Sequence, residues 1–126
     1  TNIPNIKQPD DLGLDFRDII ETDVEEKYYL TKRAVERVRE KQGLKLVSGK
    51  SKCLFATYYK NNSSSREGQI VETNGRLRRL TPKECEILQT IPIDYTKGLS
   101  DTQRYKAIGN GWTVDVISHI FKNIEI

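Results

Sequence analysis

Cysteine is scarce in this sequence of 126 residues, which contains only Cys53 and Cys85. These two cysteines are too few, and too far apart in sequence, to suggest a disulfide framework or a zinc site. The single histidine, His119, has no Cys, Asp or Glu near it at metal-ligand spacing, so we expect it at the surface. A glycine-rich phosphate or dinucleotide loop is also missing. The residues alone therefore reveal no catalytic constellation and no metal site.

Long apolar runs are missing as well. No stretch of about 18 apolar residues is present, so no membrane span is expected, and no charged-then-apolar leader is visible. Hydrophobic residues make up 36% and charged residues 31% of the chain, a polar balance that still permits folding. We expect a small intracellular domain, in the cytoplasm or nucleoid, or in the nucleus of a eukaryotic host.

Charge is unevenly distributed along the chain. Residues 10–27 contain eight carboxylates and two cations, a net charge of −6, whereas residues 44–80 contain eight cations and two carboxylates, a net charge of +6. A basic segment of this kind is typical of a polyanion-binding face, and equally of an ordinary solvated surface. Charge alone leaves both interpretations open.

Helix signals appear first in the N-terminal third. A short helix is expected around Phe16–Ile20. Thr31 can cap a second helix that runs to about Gln42, with Gly43 as its stop.

The middle of the chain predicts β-structure. Leu44–Ser48 and Cys53–Tyr59 are rich in β-branched and aromatic residues, as strands are. Gln69–Thr73 and Arg76–Leu80 flank Asn74-Gly75, a dipeptide suited to a type I′ turn because both of its positions need positive φ. A β-hairpin is therefore expected here.

The last third returns to helix. Thr81 to Glu84 forms a capping box with Pro82 at the first helical position, and Ser100 begins a second such box whose helix should close at Gly109. The final helix should begin near Thr113. Its apolar residues recur at helical spacing: Val114, Ile117, Ile120, Phe121 and Ile124. The sequence thus predicts a small α+β fold.

Two sequence blocks carry a family resemblance. The first is Arg78-Arg79-Leu80-Thr81-Pro82-Lys83-Glu84-Cys85, continued by Leu88-Gln89 and Ile91-Pro92-Ile93-Asp94-Tyr95. The second is Gln103-Arg104-Tyr105-Lys106-Ala107-Ile108-Gly109-Asn110-Gly111-Trp112-Thr113-Val114. In this order and at this distance, the blocks resemble the last two signature motifs of DNA cytosine-5 methyltransferases. Thr90-Ile91 departs from the Gly-Phe that is common in that family.

Weaker likeness extends upstream. Leu14–Ile20 and Glu25–Thr31 are similar to the segment that follows the family's eighth motif, and Cys53–Lys60 is similar to a strand and loop of its target-recognition domain. The resemblance implies a target-recognition region over residues 1–108, with a short sheet and helices. Residues 109–126 would be the C-terminal motif and helix of a Rossmann-like methyltransferase domain.

The resemblance also implies a substrate and a cofactor. The family transfers a methyl group from S-adenosylmethionine to carbon 5 of cytosine in double-stranded DNA, after the base has left the helix. Lys50, Lys52, Lys60 and Arg66 are then expected to contact phosphates. Thr57, Tyr58, Tyr59 and Asn61 are expected to reach base edges, although strand alternation would send one of the two tyrosines into the core.

Other residues receive structural or cofactor roles from the resemblance. Arg78 and Glu84 would organise the recognition domain, with an exposed strand position as the alternative for Arg78. Asn110, Gly111 and Trp112 would lie near the S-adenosylmethionine pocket, with simple core packing as the alternative for Trp112.

The family's catalytic motifs do not occur in this chain. Neither Cys53 nor Cys85 follows a proline, as the family's nucleophile does, and neither Glu-Asn-Val nor Phe-x-Gly-x-Gly is present. The chain also begins with Thr1. We therefore expect a fragment whose catalytic residues lie elsewhere. Alternatives are a specificity subunit that pairs with a separate catalytic chain, and a DNA-binding module unrelated to methylation.

The final helix completes these expectations. In the family it packs on the catalytic domain, so its apolar stripe should lack a partner here. Burying such side chains is worth roughly 1.5–3 kcal/mol each. We expect self-association through residues 113–124, or collapse of this helix onto the small domain.

Overall fold

The computed structural model of the protein describes residues 5–42, 46, 49–60 and 69–124. Three short 3-10 helices, four α-helices and one two-stranded sheet occur in these residues. In chain order they are the 3-10 helices Phe16–Asp18 and Glu26–Tyr28, α1 (Lys32–Gln42), the 3-10 helix Tyr58–Lys60, β1 (Ile70–Thr73), β2 (Arg76–Arg79), α2 (Pro82–Leu88), α3 (Asp101–Asn110) and α4 (Val114–Lys122). The predicted α+β class is confirmed.

The hairpin forms as its turn chemistry predicts. β1 and β2 pair antiparallel, with Thr73 opposite Arg76, and Asn74 and Gly75 adopt φ values of 55° and 71°. Both positive values belong to the type I′ turn, which matches the twist of the flanking strands.

Alternation along the hairpin divides the core in two. Ile70 and Leu77 face α1 and pack with Leu30 and two residues of that helix. Val71, one position on, belongs to the larger cluster on the opposite face, and Arg78 lies directly across from it. Because successive side chains of a strand point to opposite faces, the hairpin contributes to both clusters.

The larger cluster joins the helices of the last third to the N-terminal segment. Its buried members are Phe16, Tyr28, Leu54, Tyr58, Val71, Leu80, Cys85, Tyr105 and Ile108. In contrast, no residue of α4 is buried. That helix is attached through its first turn and through His119 Nε2, which lies 2.8 Å from the backbone oxygen of Lys7.

Most predicted helix boundaries are confirmed. The Thr31 hydroxyl accepts from the N–H of Ala34, the capping box of α2 is complete, the Ser100 hydroxyl accepts from the N–H of Gln103, and α4 begins directly after Thr113. Gly43, most of the Leu44–Ser48 strand, Asn61 and Arg66 lie outside the described residues.

Two local predictions are wrong. Cys53–Tyr59 is not a strand: residues 53–55 are irregular and a turn leads into the 3-10 helix Tyr58–Lys60. Gly109 does not end its helix, since α3 continues to Asn110 and Gly111 is the C-cap. Gly109 receives the backbone of Phe55 and Ala56, so the segment that precedes Tyr58 packs on a helix and does not pair in a sheet.

Candidate functional site

Arg78 lies at the centre of the polar network that holds the hairpin against α2. Its fully buried guanidinium forms a two-pronged ion pair with Glu84, in which Nη2 donates to Oε1 at 2.6 Å and Nη1 to Oε2 at 3.0 Å. The other three N–H groups donate to the Thr73 hydroxyl and to the carbonyls of Arg79 and Glu21. All five donors are satisfied, so Arg78 orders the interior and does not face solvent.

Glu84 connects this network to the start of α2. Its carboxylate accepts from the N–H of Thr81 at 3.2 Å, and the Thr81 hydroxyl accepts from the N–H of Glu84 at 3.2 Å. The same carboxylate accepts from the N–H of Glu21, whose own carboxylate accepts from the Thr81 hydroxyl. One buried side chain therefore fastens the hairpin, the first turn of α2 and the N-terminal segment together.

Gln89, at the end of α2, joins the two signature blocks. Its side-chain nitrogen donates to the carbonyls of Ile108 at 2.9 Å and Gly111 at 3.2 Å, and its side-chain oxygen accepts from the Thr113 hydroxyl at 2.8 Å. Its backbone carbonyl accepts from the N–H of Val114 at 3.0 Å. The position of residues 108–114, and hence the direction of α4, is set by this glutamine.

Glu86 holds the loop that follows α2. Its fully buried carboxylate accepts from the N–H groups of Asp94 and Thr96, from the Thr96 hydroxyl, and from Arg104 Nη2 at 3.1 Å. Arg104 also donates from Nε to the Thr96 hydroxyl at 2.9 Å. The loop is thereby tied to α3 while it presents Ile93 and Tyr95, which are 56% and 74% exposed.

The ionisation of Glu86 follows from these bonds. Burial by itself raises the pKa of this carboxyl, because it disfavours the charged form. The hydrogen bonds from Thr96, Arg104 and Asp94 outweigh burial and leave the pKa of Glu86 below its ordinary value of 4.5. The side chain is therefore a carboxylate at neutral pH.

A second charged junction lies between the N-terminal segment and α3. The Tyr28 hydroxyl donates to Asp101 at 2.8 Å, and Lys27 pairs with the same carboxylate at 3.0 Å. Burial and this hydrogen bond raise the pKa of Tyr28 to about 12. Burial acts to raise the pKa of Asp101, but the bonds from Lys27 and Tyr28 lower it.

The basic residues singled out from the sequence differ in their surroundings. Lys50 is exposed but paired with Asp11 at 2.7 Å, and its amino group also donates to the Leu14 carbonyl at 2.8 Å. Lys52 is exposed, and its backbone is held by the buried Gln69 amide, which pairs with both its N–H and its carbonyl. Thr57 and Lys60 are exposed.

The two tyrosines have separate environments. Tyr58 is in the core, where its hydroxyl donates to the Gln69 carbonyl at 2.7 Å and accepts from the N–H of Leu80 at 2.7 Å. Its ring packs on that of Tyr105. Tyr58 therefore presents no hydroxyl to solvent. Tyr59 is half-buried, and the amino group of Lys60 lies 5.7 Å from its ring centroid.

The residues expected near the cofactor lie at the end of α3 and in the link to α4. Asn110 and Gly111 are exposed, and Trp112 is 70% exposed. An open apolar groove runs along them and is lined further by Val114, Ile117, Ser118 and Phe121. Trp112 thus lies at the surface of the described part of the chain, in place of the core position considered for it from the sequence.

A family described as C-5 cytosine-specific DNA methylase matches residues 3–126. This chain belongs to the C-5 cytosine-specific DNA methylase family. The methylase relatives include the type II methyltransferase M.DsaV of Dactylococcopsis salina, 32% identical over 126 residues that cover 90% of this chain and 35% of the relative. M.SsoII of Shigella sonnei is 31% identical over 120 residues, which cover 85% of this chain and 31% of the relative.

The chain spans about a third of the length of these two methylases. Among solved structures, a DNMT2 variant of Spodoptera frugiperda superposes with a TM-score of 0.71 at 23% identity, over 92% of this chain and 44% of the other. The S. pombe Dnmt2 methyltransferase has a TM-score of 0.67 at 19% identity, over 91% of this chain and 42% of the other. At these identities the likeness supports the fold alone.

Glu86 and Arg104, which tie the loop after α2 to α3, were not predicted from the sequence. Glu86 was not singled out, because a glutamate in a helix between Cys85 and Ile87 has the pattern of a surface residue. Arg104 was quoted only as part of its block, although its N–H groups contact both Thr96 and Glu86. No local signal marks either one, since their partners lie eight to eighteen positions away.

Among the residues that the structure describes, no group of three or more His, Cys, Asp or Glu side chains could hold a metal ion. No helix in those ranges is long and apolar enough to cross a membrane.

Proposed function

We propose that this chain is the DNA-docking part of a DNA cytosine-5 methyltransferase, with residues 1–108 as target-recognition region and residues 109–126 as the end of the catalytic domain. The observation that carries the proposal is the junction made by Gln89, which binds the second signature block at Ile108, Gly111 and Thr113. The junction matters because it holds the recognition region and the last helix in one fixed relation. The division between residues 108 and 109 is one of function, since α3 continues through it.

The chemistry is proposed to come from residues outside this chain. Cys85 is buried, and burial raises the pKa of its thiol well above the ordinary value, so it is not a nucleophile. Cys53 is exposed, but its sulfur donates to the Leu54 carbonyl and forms no hydrogen bond with a basic side chain among the described residues. The thiolate that attacks the cytosine ring would therefore belong to a catalytic part, either in the same polypeptide or in a separate chain.

S-adenosylmethionine is the methyl donor of this family. Its fit to this chain is partial: Trp112 offers an exposed indole face, and Asn110 and Gly111 offer an amide and backbone groups beside an apolar groove. These groups suit one wall of an adenosine site. We propose that they complete a pocket whose other walls come from the catalytic part.

DNA would meet the exposed residues around the 3-10 helix Tyr58–Lys60. Lys52 and Lys60 are placed to contact phosphates, and Thr57 and Tyr59 to approach base edges. Asn61 and Arg66 are assigned with them from the sequence. Lys50 would exchange its pairing with Asp11 for a phosphate, and Tyr58 is left out because it is buried.

The docking proposal is tested with a fluorescent duplex and anisotropy at low and high salt. Charge reversal of Lys50 and Lys52 together should weaken binding and flatten its salt dependence, because fewer counterions are then released. Reversal of Lys7 and Lys122, two exposed lysines at the α4 side, is the matched control. The proposed surface would be refuted if DNA affinity did not change with salt concentration, or if both charge-reversal variants lost the same affinity.

The methyltransferase proposal is tested by transplantation. This chain replaces the aligned region of the Dactylococcopsis salina relative, and radiolabelled methyl transfer to DNA is measured. The hybrid should methylate cytosine, whereas the chain alone should not. Methyl transfer by the chain alone that disappears in Cys53→Ser or Cys85→Ser would refute the assignment.

The exposed face of α4 is proposed to be covered by the catalytic part. Phe121 and Val114 are 67% and 44% exposed, and Ile117 is half-buried beside them. The chain alone should then self-associate through residues 113–124, and Ile117→Glu or Phe121→Glu should yield monomers in sedimentation. A monomeric chain with a protease-accessible last helix would contradict this.

A further inference from the structure

A groove with basic walls lies between α1 and the segment that precedes it. Tyr28, Leu30 and Ala34 are among the residues that line it, and four cations surround them: Lys27, Arg33, Arg37 and Arg79. No carboxylate is found among the described residues that line this basic groove. Lys27, Arg33 and Arg37 lie outside the residues that sequence and family resemblance pointed to for DNA contact, whereas Arg79 belongs to the basic segment 44–80.

The charge of the basic groove is largely unneutralised. Lys27 pairs with Asp101 at 3.0 Å and Glu25 at 3.5 Å. Arg33 and Arg37, one turn apart on α1, are exposed and make no ion pair within the part of the chain that the structure describes. Two exposed guanidinium groups at this spacing repel each other, and an anion between them would reverse that effect.

Arg79 is the groove cation with an unsatisfied donor among the described residues. Its Nη1 donates to the Tyr59 carbonyl at 3.1 Å, but its buried Nε has no hydrogen-bond partner among the described residues. An unsatisfied buried donor is costly, so native proteins seldom leave one unless a ligand or water completes it. The central carbon of the guanidinium lies 5.8 Å from the ring centroid of Tyr28 and 5.7 Å from that of Tyr105.

A second group of cations lies around Tyr59, whose backbone carbonyl accepts from Arg79. The amino groups of Lys60 and Lys106 lie 5.7 Å and 5.2 Å from the centroid of the Tyr59 ring. Several cations on neighbouring residues fit an extended polyanion better than a single small anion. Tyr59 is also one of the residues proposed above to face DNA.

We propose that the basic groove binds the phosphate backbone of duplex DNA, flanking the region that reads the bases. Arg33 and Arg37, which line the groove together with Arg79, contact phosphates, and Lys60 and Lys106 beside Tyr59 add further phosphate contacts. This inference rests on the proposed DNA-docking function and adds a second contact region to it. The groove would supply affinity and orientation without base specificity.

The test compares two double variants of α1 in the 126-residue chain. Arg33→Gln with Arg37→Gln removes the groove cations, and Lys32→Gln with Arg39→Gln removes two exposed cations from another face of the same helix. Binding of a fluorescent duplex is measured by anisotropy across a salt series. The groove variant should bind at least about tenfold more weakly on any sequence, with a salt slope smaller by about 1.8.

The control variant should bind within about twofold of the unmodified chain. Arg33→Lys with Arg37→Lys, which keeps the charge, should restore most of the affinity, and circular dichroism checks that α1 persists. The proposal is overturned if the groove variant binds normally or if both glutamine variants weaken binding alike. In either case, the DNA-docking function would still be supported if charge reversal of Lys50 and Lys52 weakened binding. A chain that binds no duplex at all refutes both.

Discussion

Gly109 receives the backbone of Phe55 so closely that a Cβ at this position would overlap the carbonyl group of Phe55 and the N–H of Ala56. The helix α3 and the segment before Tyr58 therefore meet through main chain. Only glycine allows this approach inside a helix, which offsets its low helix propensity.

Gly109→Ala should destabilise the chain by at least about 1–3 kcal/mol, because backbone and not a flexible side chain must move. Gly111→Ala is the matched control, since its Cβ would lie 3.4 Å from the nearest atoms and its φ of −78° suits any residue. Urea unfolding measures both. Equal stability of the two variants would show that the contact is not tight.

Loss of the buried Arg78–Glu84 ion pair should lower the free energy of unfolding much more than loss of an exposed ion pair. Arg78→Met should cost about 3–5 kcal/mol, because it leaves the fully buried Glu84 without its cation. Arg76→Met, on the same strand, breaks an exposed pair with Glu26 and should cost less than about 1 kcal/mol.

The double variant Arg78→Met with Glu84→Leu should lose less than the sum of the single changes, since it leaves no charge behind. The comparison requires urea unfolding of the unmodified chain, Arg78→Met, Glu84→Leu and the double variant. Strict additivity would mean that the two side chains act independently.

Glu86 predicts a dependence of stability on pH. Its pKa is lower in the folded than in the unfolded chain, so its stabilising effect is complete above its ordinary value of 4.5 and declines as pH falls below that value. Glu86→Gln should reduce the free energy of unfolding by about 2 kcal/mol at neutral pH, and the difference should shrink in acid.

Hydrogen exchange separates this role from a general loss of stability. The N–H groups of Asp94 and Thr96 donate to Glu86, so they should lose protection before the hairpin does in the variant. Glu72→Gln, an exposed change on β1, should alter the unfolding free energy by less than about 0.5 kcal/mol. A pH-independent effect of Glu86→Gln would contradict the assignment.

The two cysteines should react at very different rates. Cys53 is exposed, whereas Cys85 is 1% exposed and burial raises the pKa of its thiol. Iodoacetamide should modify one thiol of the native chain and two after denaturation, as counted by mass spectrometry. Cys53→Ser should abolish the fast reaction. Rapid modification of Cys85 in the native chain would show that the core opens readily.

The hairpin turn and the helix cap could be predicted from the sequence because each depends on residues that are close together in the chain. Asn74-Gly75 forms its turn because two adjacent residues must adopt positive φ, and the capping box closes within the four residues from Thr81 to Glu84. The spacing of the two signature blocks, together with their residues, was enough to indicate the methyltransferase family.

Tertiary structure decided what depends on distant partners. Tyr58 is buried because its hydroxyl binds the backbone of Gln69 and Leu80, whereas its neighbour Tyr59 is only half-buried. Both residues lie in a 3-10 helix, where the sequence predicted a strand. Glu86 has the sequence pattern of a surface residue, but in the structure the loop and α3 cover it. Such environments arise from contacts between segments far apart in sequence, and neither propensity nor periodicity encodes which segments those are.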